Sequence, residues 1–234
     1  MQNQNSELMK TTFTLDSVIN FRLKLLFLLS IFSLNVGSMT IPMNGKSWFY
    51  TPYKKKQSHL ISYENDVMII DVKKSAGVLV HRLAKPMEVG KIKISAEFKG
   101  HLKLKKKLQG KKGNDDFILR IGLIHAGKEK LGKMKRLFAP RWIKDLYSNF
   151  EPDQGLDKIV FYTFYSDKRL EGKSRIHPNS KLIEEVYVNE MKSPLDDEFT
   201  TNSKAKIIGL WIASDGDDSN SIFTLKVKKL EVFP

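Results

Sequence analysis

A chain of 234 residues that is 41% hydrophobic carries enough apolar material for one larger all-β domain or two small ones. Forty Lys and Arg against 26 Asp and Glu give a formal net charge of +14, which favours acidic partners: nucleic acid, anionic polysaccharide or an anionic membrane surface. The lack of cysteine excludes a disulfide framework, a cysteine-held structural zinc and a lipoprotein attachment cysteine.

Near the N-terminus, Arg22 and Lys24 precede the apolar run 25–34, and Val36, Gly37 and Ser38 follow it. Basic, apolar and small residues in that order read as a secretory signal peptide. The apolar run is too short for the roughly 20 residues that span a bilayer. The expectation is a signal peptide over residues 1–38, cleaved after Ser38, and a β-sandwich domain over 39–234; an uncleaved N-terminal anchor is the alternative. A polar lead longer than usual precedes Arg22, and translation beginning downstream would account for it. Export argues against nucleic acid as the partner and directs attention to envelope polymers.

Strand-like runs then follow one another. Residues 45–50 open with aromatics, and residues 59–63 and 67–72 are short and β-branched around the turn Glu64-Asn65-Asp66. Residues 78–83 follow Ser75-Ala76-Gly77. Over residues 91–99, Ile92, Ile94, Ala96 and Phe98 point one way and Lys91, Lys93, Ser95, Glu97 and Lys99 the other.

The β rhythm breaks twice. Residues 99–112 hold seven lysines, among them Lys105, Lys106 and Lys107. Residues 127–150 place Leu131, Met134, Phe138, Trp142 and Leu146 near helical spacing, with Lys133, Lys135 and Arg136 between them; Gly132 and Pro140 divide this stretch into two short turns. Both read as basic insertions, one partly helical, and so as candidate surfaces for an anionic envelope component or for peripheral membrane contact. Solvated loops that keep the protein soluble are the plainer reading.

Residues 117–125 alternate with Phe117, Leu119, Ile121 and Leu123 inward, and the continuous apolar run 159–165 predicts a strand buried on both faces. After residues 182–188, two alternating runs flank the turn-forming Asp215-Gly216-Asp217-Asp218-Ser219-Asn220, which predicts a C-terminal β-hairpin. The phase slips between Val227 and Leu230, predicting a β-bulge. With turn signals throughout and no long helical period, the fold expected is a single antiparallel β-sandwich of jelly-roll type.

Several groups could carry chemistry. Trp211 is out of phase with Ile208, Leu210 and Ile212, so it faces away from the main core and could offer its ring to a sugar. Asp215, Asp217 and Ser219 occupy the first, third and fifth positions of a possible calcium loop, although Asn220 replaces the usual glycine and no closing glutamate follows. A hairpin turn whose side chains bond their own backbone is the competing reading. Asp115 and Asp116 precede a strand containing Arg120. Because neighbours on a strand point apart, glycoside chemistry there needs a second carboxylate such as Glu97 or Glu184. The five histidines are scattered, and no nucleophile elbow, phosphate loop or dinucleotide fingerprint is present.

Asn114-Asp115-Asp116-Phe117-Ile118-Leu119-Arg120-Ile121 and residues 208–217 together resemble a bacterial family known as domain of unknown function 3047. The shared pattern is a paired Asp leading into a strand with an Arg, and a late strand ending in Asp-x-Asp. The resemblance spans residues 48–233 and implies an exported β-sandwich of Gram-negative bacteria, periplasmic or outer-membrane-associated. The family's aromatic and arginine-rich stretch before the last two strands is replaced here by residues 185–190. The functional expectation is a non-enzymatic module binding carbohydrate or another anionic polymer through Trp211, Asp116, Arg120, Asp215 and Asp217. The alternatives are a glycan-active hydrolase or lyase and a structural, membrane-associated envelope protein. No cofactor is expected beyond the possible calcium.

Overall fold

Alternating runs become strands in two packed sheets. The computed structural model describes residues 37–53, 56–128, 130, 141–151, 154–178, 180–201 and 203–234. One sheet contains β1 (Met39–Thr40), β3 (Leu60–Glu64), β4 (Val67–Lys73), β6 (Lys91–His101), β11 (Leu195–Thr200) and β13 (Ile222–Phe233). Its order is β11-β6-β13-β4-β3, with β1 extending the β4 side along the far end of β13. The other contains β2 (Phe49–Pro52), β5 (Ala76–Met87), β7 (Leu119–Gly127), β8 (Gly155–Tyr165), β9 (Ser174–Ile176), β10 (Ile183–Glu190) and β12 (Ile207–Asp215). Its order is β2-β5-β12-β7-β8-β10-β9. The chain passes repeatedly between the sheets, giving the expected β-sandwich. A helix, α1 (Arg141–Ser148), and a 3-10 turn at Lys168–Leu170 complete the described elements.

The inner faces follow the sequence phase. Ile92, Ile94 and Ala96 of β6 and Leu225, Val227, Leu230 and Val232 of β13 join one core with Leu119, Ile121 and Leu123 of β7 and Leu210 and Ile212 of β12. Each such aliphatic side chain contributes about 1.5–3 kcal/mol by leaving water. The predicted bulge is present, a register shift between Val227 and Lys229 that returns Leu230 to the core. β8 is buried on both faces, as its continuous apolar run requires.

Three expectations are corrected. β12 and β13 do not pair with each other: β12 lies between β5 and β7 in one sheet, and β13 between β6 and β4 in the other. The Asp-rich turn is therefore a corner between sheets. Each run alternates because its own sheet has an inner face, and alternation is silent about the partner strand. Second, β10 runs parallel to β8, pairing Ile183 with Ile159, because the chain crosses over through the 3-10 turn and β9 before returning. Third, β11 was not foreseen. Its sequence LDDEFT has only Leu195 and Phe199 to bury, which suffices for an edge strand beside β6.

Candidate functional site

Trp211 does face away from the inter-sheet core, yet it is only 2% exposed. Val78, Val80, Ile124, Phe161 and Trp211 form a second apolar cluster on the outer face of the seven-stranded sheet, closed by Leu146 of α1 and by Phe150. Trp211 meets Phe161 edge-on, centroids 5.4 Å apart. Gly122 makes this approach possible, since a Cβ there would stand 2.8 Å from the Phe161 ring. The expected sugar platform is thus filled by the protein itself. Phase gives the direction of a side chain, and a covering segment decides whether the face stays open.

Beyond this cluster the same face carries charge. Arg120 on β7 donates from Nη1 to Glu185 of β10 at 3.1 Å and from Nη2 to Asp215 at the end of β12. Arg175 on β9 donates to Glu185 and, at 2.8 Å, to Asp115, while its Nη1 bonds the Gly110 carbonyl. The result is a row of alternating sign, Asp215, Arg120, Glu185, Arg175, Asp115. Burial opposes the charged form of Glu185, but the two guanidiniums outweigh it and hold its pKa below the ordinary value. Glu185 and Arg175 were missed. The signal was there: Glu185 stands in phase with Ile183 and Tyr187, a carboxylate at a position whose neighbours are buried.

Asp116 is fully buried and accepts from the Asp218 N–H at 3.1 Å, the Ser219 N–H at 2.6 Å and the Ser219 hydroxyl. It therefore shapes the corner between β12 and β13. Asp215 also accepts the Phe117 N–H at 2.8 Å, and Asp217 pairs with Lys56. The three side chains expected to converge on calcium are engaged with three different partners. Among the described residues no group of three His, Asp or Glu side chains is disposed to hold a metal ion. Asp115 and Asp116 lie in the irregular segment before β7 and reach different partners, Arg175 and the corner at Asp218 and Ser219. Glu97 pairs with Lys226 and Lys228, and Glu184 with Lys158. So Arg120, Asp116, Asp215 and Asp217 are brought together, but as internal scaffold. Lys105, Lys106 and Lys107 are exposed; Lys133, Lys135 and Arg136 lie outside the described residues.

An open cleft of about 450 Å³ lies elsewhere, where the ends of β8 and β10 meet the start of β11. Tyr165 closes β8 there; its side chain is 4% exposed, and the described residues give its hydroxyl no hydrogen-bond partner. Burial, and then Glu171 and Glu190, push its pKa up, so the hydroxyl remains a neutral donor. Asn189 donates to Asp197 at 2.6 Å, and Asp197 also accepts the Glu198 N–H at 2.8 Å. Lys168 stands 3.7 Å from Glu190. Glu171, Lys192 and Asp196 line the same cleft with their side-chain hydrogen bonds unused among the described residues. None of these residues stood out in sequence. They come from irregular polar stretches, where no period marks a shared location.

No protein-family model matches the chain, and no curated protein matches it in sequence. Among solved structures, a family 11 carbohydrate-binding module of a cellulosomal cellulase from Clostridium thermocellum superposes with a TM-score of 0.40 at 7% identity, over 85% of this chain and 95% of its own. A family 29 carbohydrate-binding module from Piromyces equi gives 0.36 at 7% identity, over 85% and 91%. A family 15 xylan-binding module gives 0.36 at 10% identity, over 84% and 95%. At these values the comparison assigns no ligand to this chain.

Proposed function

We propose that the protein is an exported, non-enzymatic binding module that holds a segment of polysaccharide in the cleft beside Tyr165. The observation that carries this reading is the lining. A buried aromatic ring presents an unpartnered hydroxyl, and a carboxamide, carboxylates and ammonium groups with unused hydrogen bonds surround it. A ligand dense in hydroxyls, each both donor and acceptor, is the chemistry such a lining satisfies. Its volume falls within the roughly 300–1,000 Å³ of small-ligand sites. The non-enzymatic part rests on the carboxylates weighed for glycoside chemistry. Asp115 shares a guanidinium with Glu185, Asp116 holds the corner at Ser219, and Glu97 and Glu184 pair with lysines. Export rests on the basic, apolar and small order of residues 22–38. The expected resemblance of residues 114–121 and 208–217 to domain of unknown function 3047 is the ground for proposing the periplasm or the outer membrane of a Gram-negative bacterium.

The test is calorimetric titration of the full chain with soluble oligosaccharides, beside Tyr165→Phe and Asp196→Ala. Either substitution is expected to weaken binding by about fivefold or more, the scale of one lost hydrogen bond. The melting temperature of Asp196→Ala stays unchanged, since that side chain is exposed and unpartnered. Oligosaccharide affinity indifferent to both substitutions, or absent throughout, overturns the cleft reading.

A further inference from the structure

We infer that the loop over residues 103–112 is a second, preformed binding surface, and that its ligand is a linear anionic polysaccharide. It is separate from the cleft and rests on different observations. Lys103, Lys105, Lys106, Lys107, Lys111 and Lys112 are all exposed, and among the described residues none has an acidic partner. Some lysines elsewhere behave otherwise. On the open face of the six-stranded sheet, Lys91 pairs with Glu198 at 2.9 Å, Lys226 and Lys228 with Glu97, and Lys229 with Glu231 at 2.9 Å. Unpaired lysines occur elsewhere among the described residues, for example at Lys93 and Lys99 of that sheet and at Lys192; what sets this loop apart is six of them within residues 103–112.

The backbone beneath these six lysines is fixed by buried polar side chains. Gln109, 1% exposed, donates from Nε2 to the Asp116 carbonyl at 2.8 Å and accepts the N–H groups of Ser166 and Asp167 at 2.9 and 3.1 Å. Asn114, with no exposure, accepts the Lys105 N–H and donates to the Lys107 carbonyl, both at 2.8 Å. The Lys103 N–H donates to the buried Ser221 hydroxyl at 2.8 Å, and Arg169 bonds the Lys107 carbonyl at 3.1 Å. Leu108 packs against the cluster of Phe117, Tyr165, Leu170 and Tyr187. Neighbouring like charges repel, and a loose loop would spread to relieve them. This loop is held from within, so the repulsion persists until a polyanion neutralises it. Binding then orders little that was not already ordered.

The same residues select the class of partner. Leu102, Leu104 and Leu108 are only part-exposed, so the loop offers no large apolar side chain for insertion into a bilayer. It carries no aromatic ring on which bases could stack. Ammonium groups on a fixed frame remain, and these suit carboxylates or sulfates repeated along a sugar chain.

Three probes are titrated at 50 and 500 mM salt: alginate, vesicles containing anionic phospholipid, and single-stranded DNA. The proteins are the full chain, a loop triple variant (Lys105→Ser, Lys106→Ser, Lys107→Ser), a control triple variant (Lys226→Ser, Lys228→Ser, Lys229→Ser) and Asp196→Ala. Alginate is expected to bind the wild type at low salt and to lose about tenfold or more in affinity at high salt. The loop triple is expected to lose about tenfold at low salt, while the control, which removes the same charge, and the cleft variant lose under about twofold. Equal losses in both triples would show that net charge alone acts and would overturn the proposal. Tighter binding to vesicles or DNA than to alginate would overturn the class of partner, and no alginate binding would overturn the site. An intact Asp196→Ala response separates a failure here from a failure of the cleft reading.

Discussion

Glu185 is a carboxylate with no exposure, between two guanidiniums, and its energetics follow from that position. Removing one partner of a buried charge array leaves the others uncompensated, so Glu185→Gln is predicted to destabilise the fold by about 3–5 kcal/mol, read from urea unfolding. Its folded pKa lies below the ordinary value, so the stability it contributes is complete above the unfolded pKa and is lost as pH falls through the folded one. Asp167 behaves likewise. Arg169 first, and then backbone N–H donors, lower its pKa from 3.8 to about 2. Asp116 and Asp215 work in the opposite sense: burial raises the pKa of each, so the cost of holding the ionised form is relieved as pH falls through the folded value. Thermal melts between pH 7 and pH 2 are expected to show a falling melting temperature, steepest below about pH 4 where Asp167 titrates; a flat profile would contradict the ion-pair account. Thr163 supplies a test of opposite sign. Its hydroxyl is buried without a hydrogen-bond partner among the described residues, so Thr163→Val, nearly isosteric, should raise stability by about 1 kcal/mol.

At the scale of elements, the corner between β12 and β13 shows where a reading of residues succeeds and where it stops. Period-2 alternation located both strands, their inner residues and the bulge after Val227, since each is a local property of the chain. Pairing is not local. The two runs read as a hairpin but belong to different sheets, and the turn between them is organised by Asp116, about a hundred residues earlier in the chain. Trp211 teaches the same point: its direction was legible, its cover by Leu146 and Phe150 was not. The corner also decides the calcium question by experiment. With Asp215, Asp217 and Ser219 committed to Arg120, Lys56 and Asp116, millimolar calcium or EDTA is predicted to leave the melting temperature unchanged within about 1 °C. A calcium-dependent rise would require those side chains to rearrange.

Across the whole molecule, the fold places a mixed-charge cleft and a lysine loop at different sites on a basic protein. Tyr165 links them physically, because it lines the cleft and belongs to the aromatic cluster that receives Leu108 from beneath the loop. Neither site was fully legible beforehand. The lysines were evident in sequence, but their fixed backbone depends on Gln109 and Asn114, two polar residues that carry no pattern. The cleft draws on β8, β10, β11 and the 3-10 turn, which only the crossover to the parallel strand brings together. The most direct measurement is calorimetric titration of the full chain with neutral oligosaccharides at 500 mM salt, where the lysine loop is screened. Binding that persists at that salt and weakens about fivefold or more in Tyr165→Phe is the predicted result. Absence of binding at high salt, or binding that Tyr165→Phe leaves unchanged, would contradict the assignment of the cleft as the polysaccharide site.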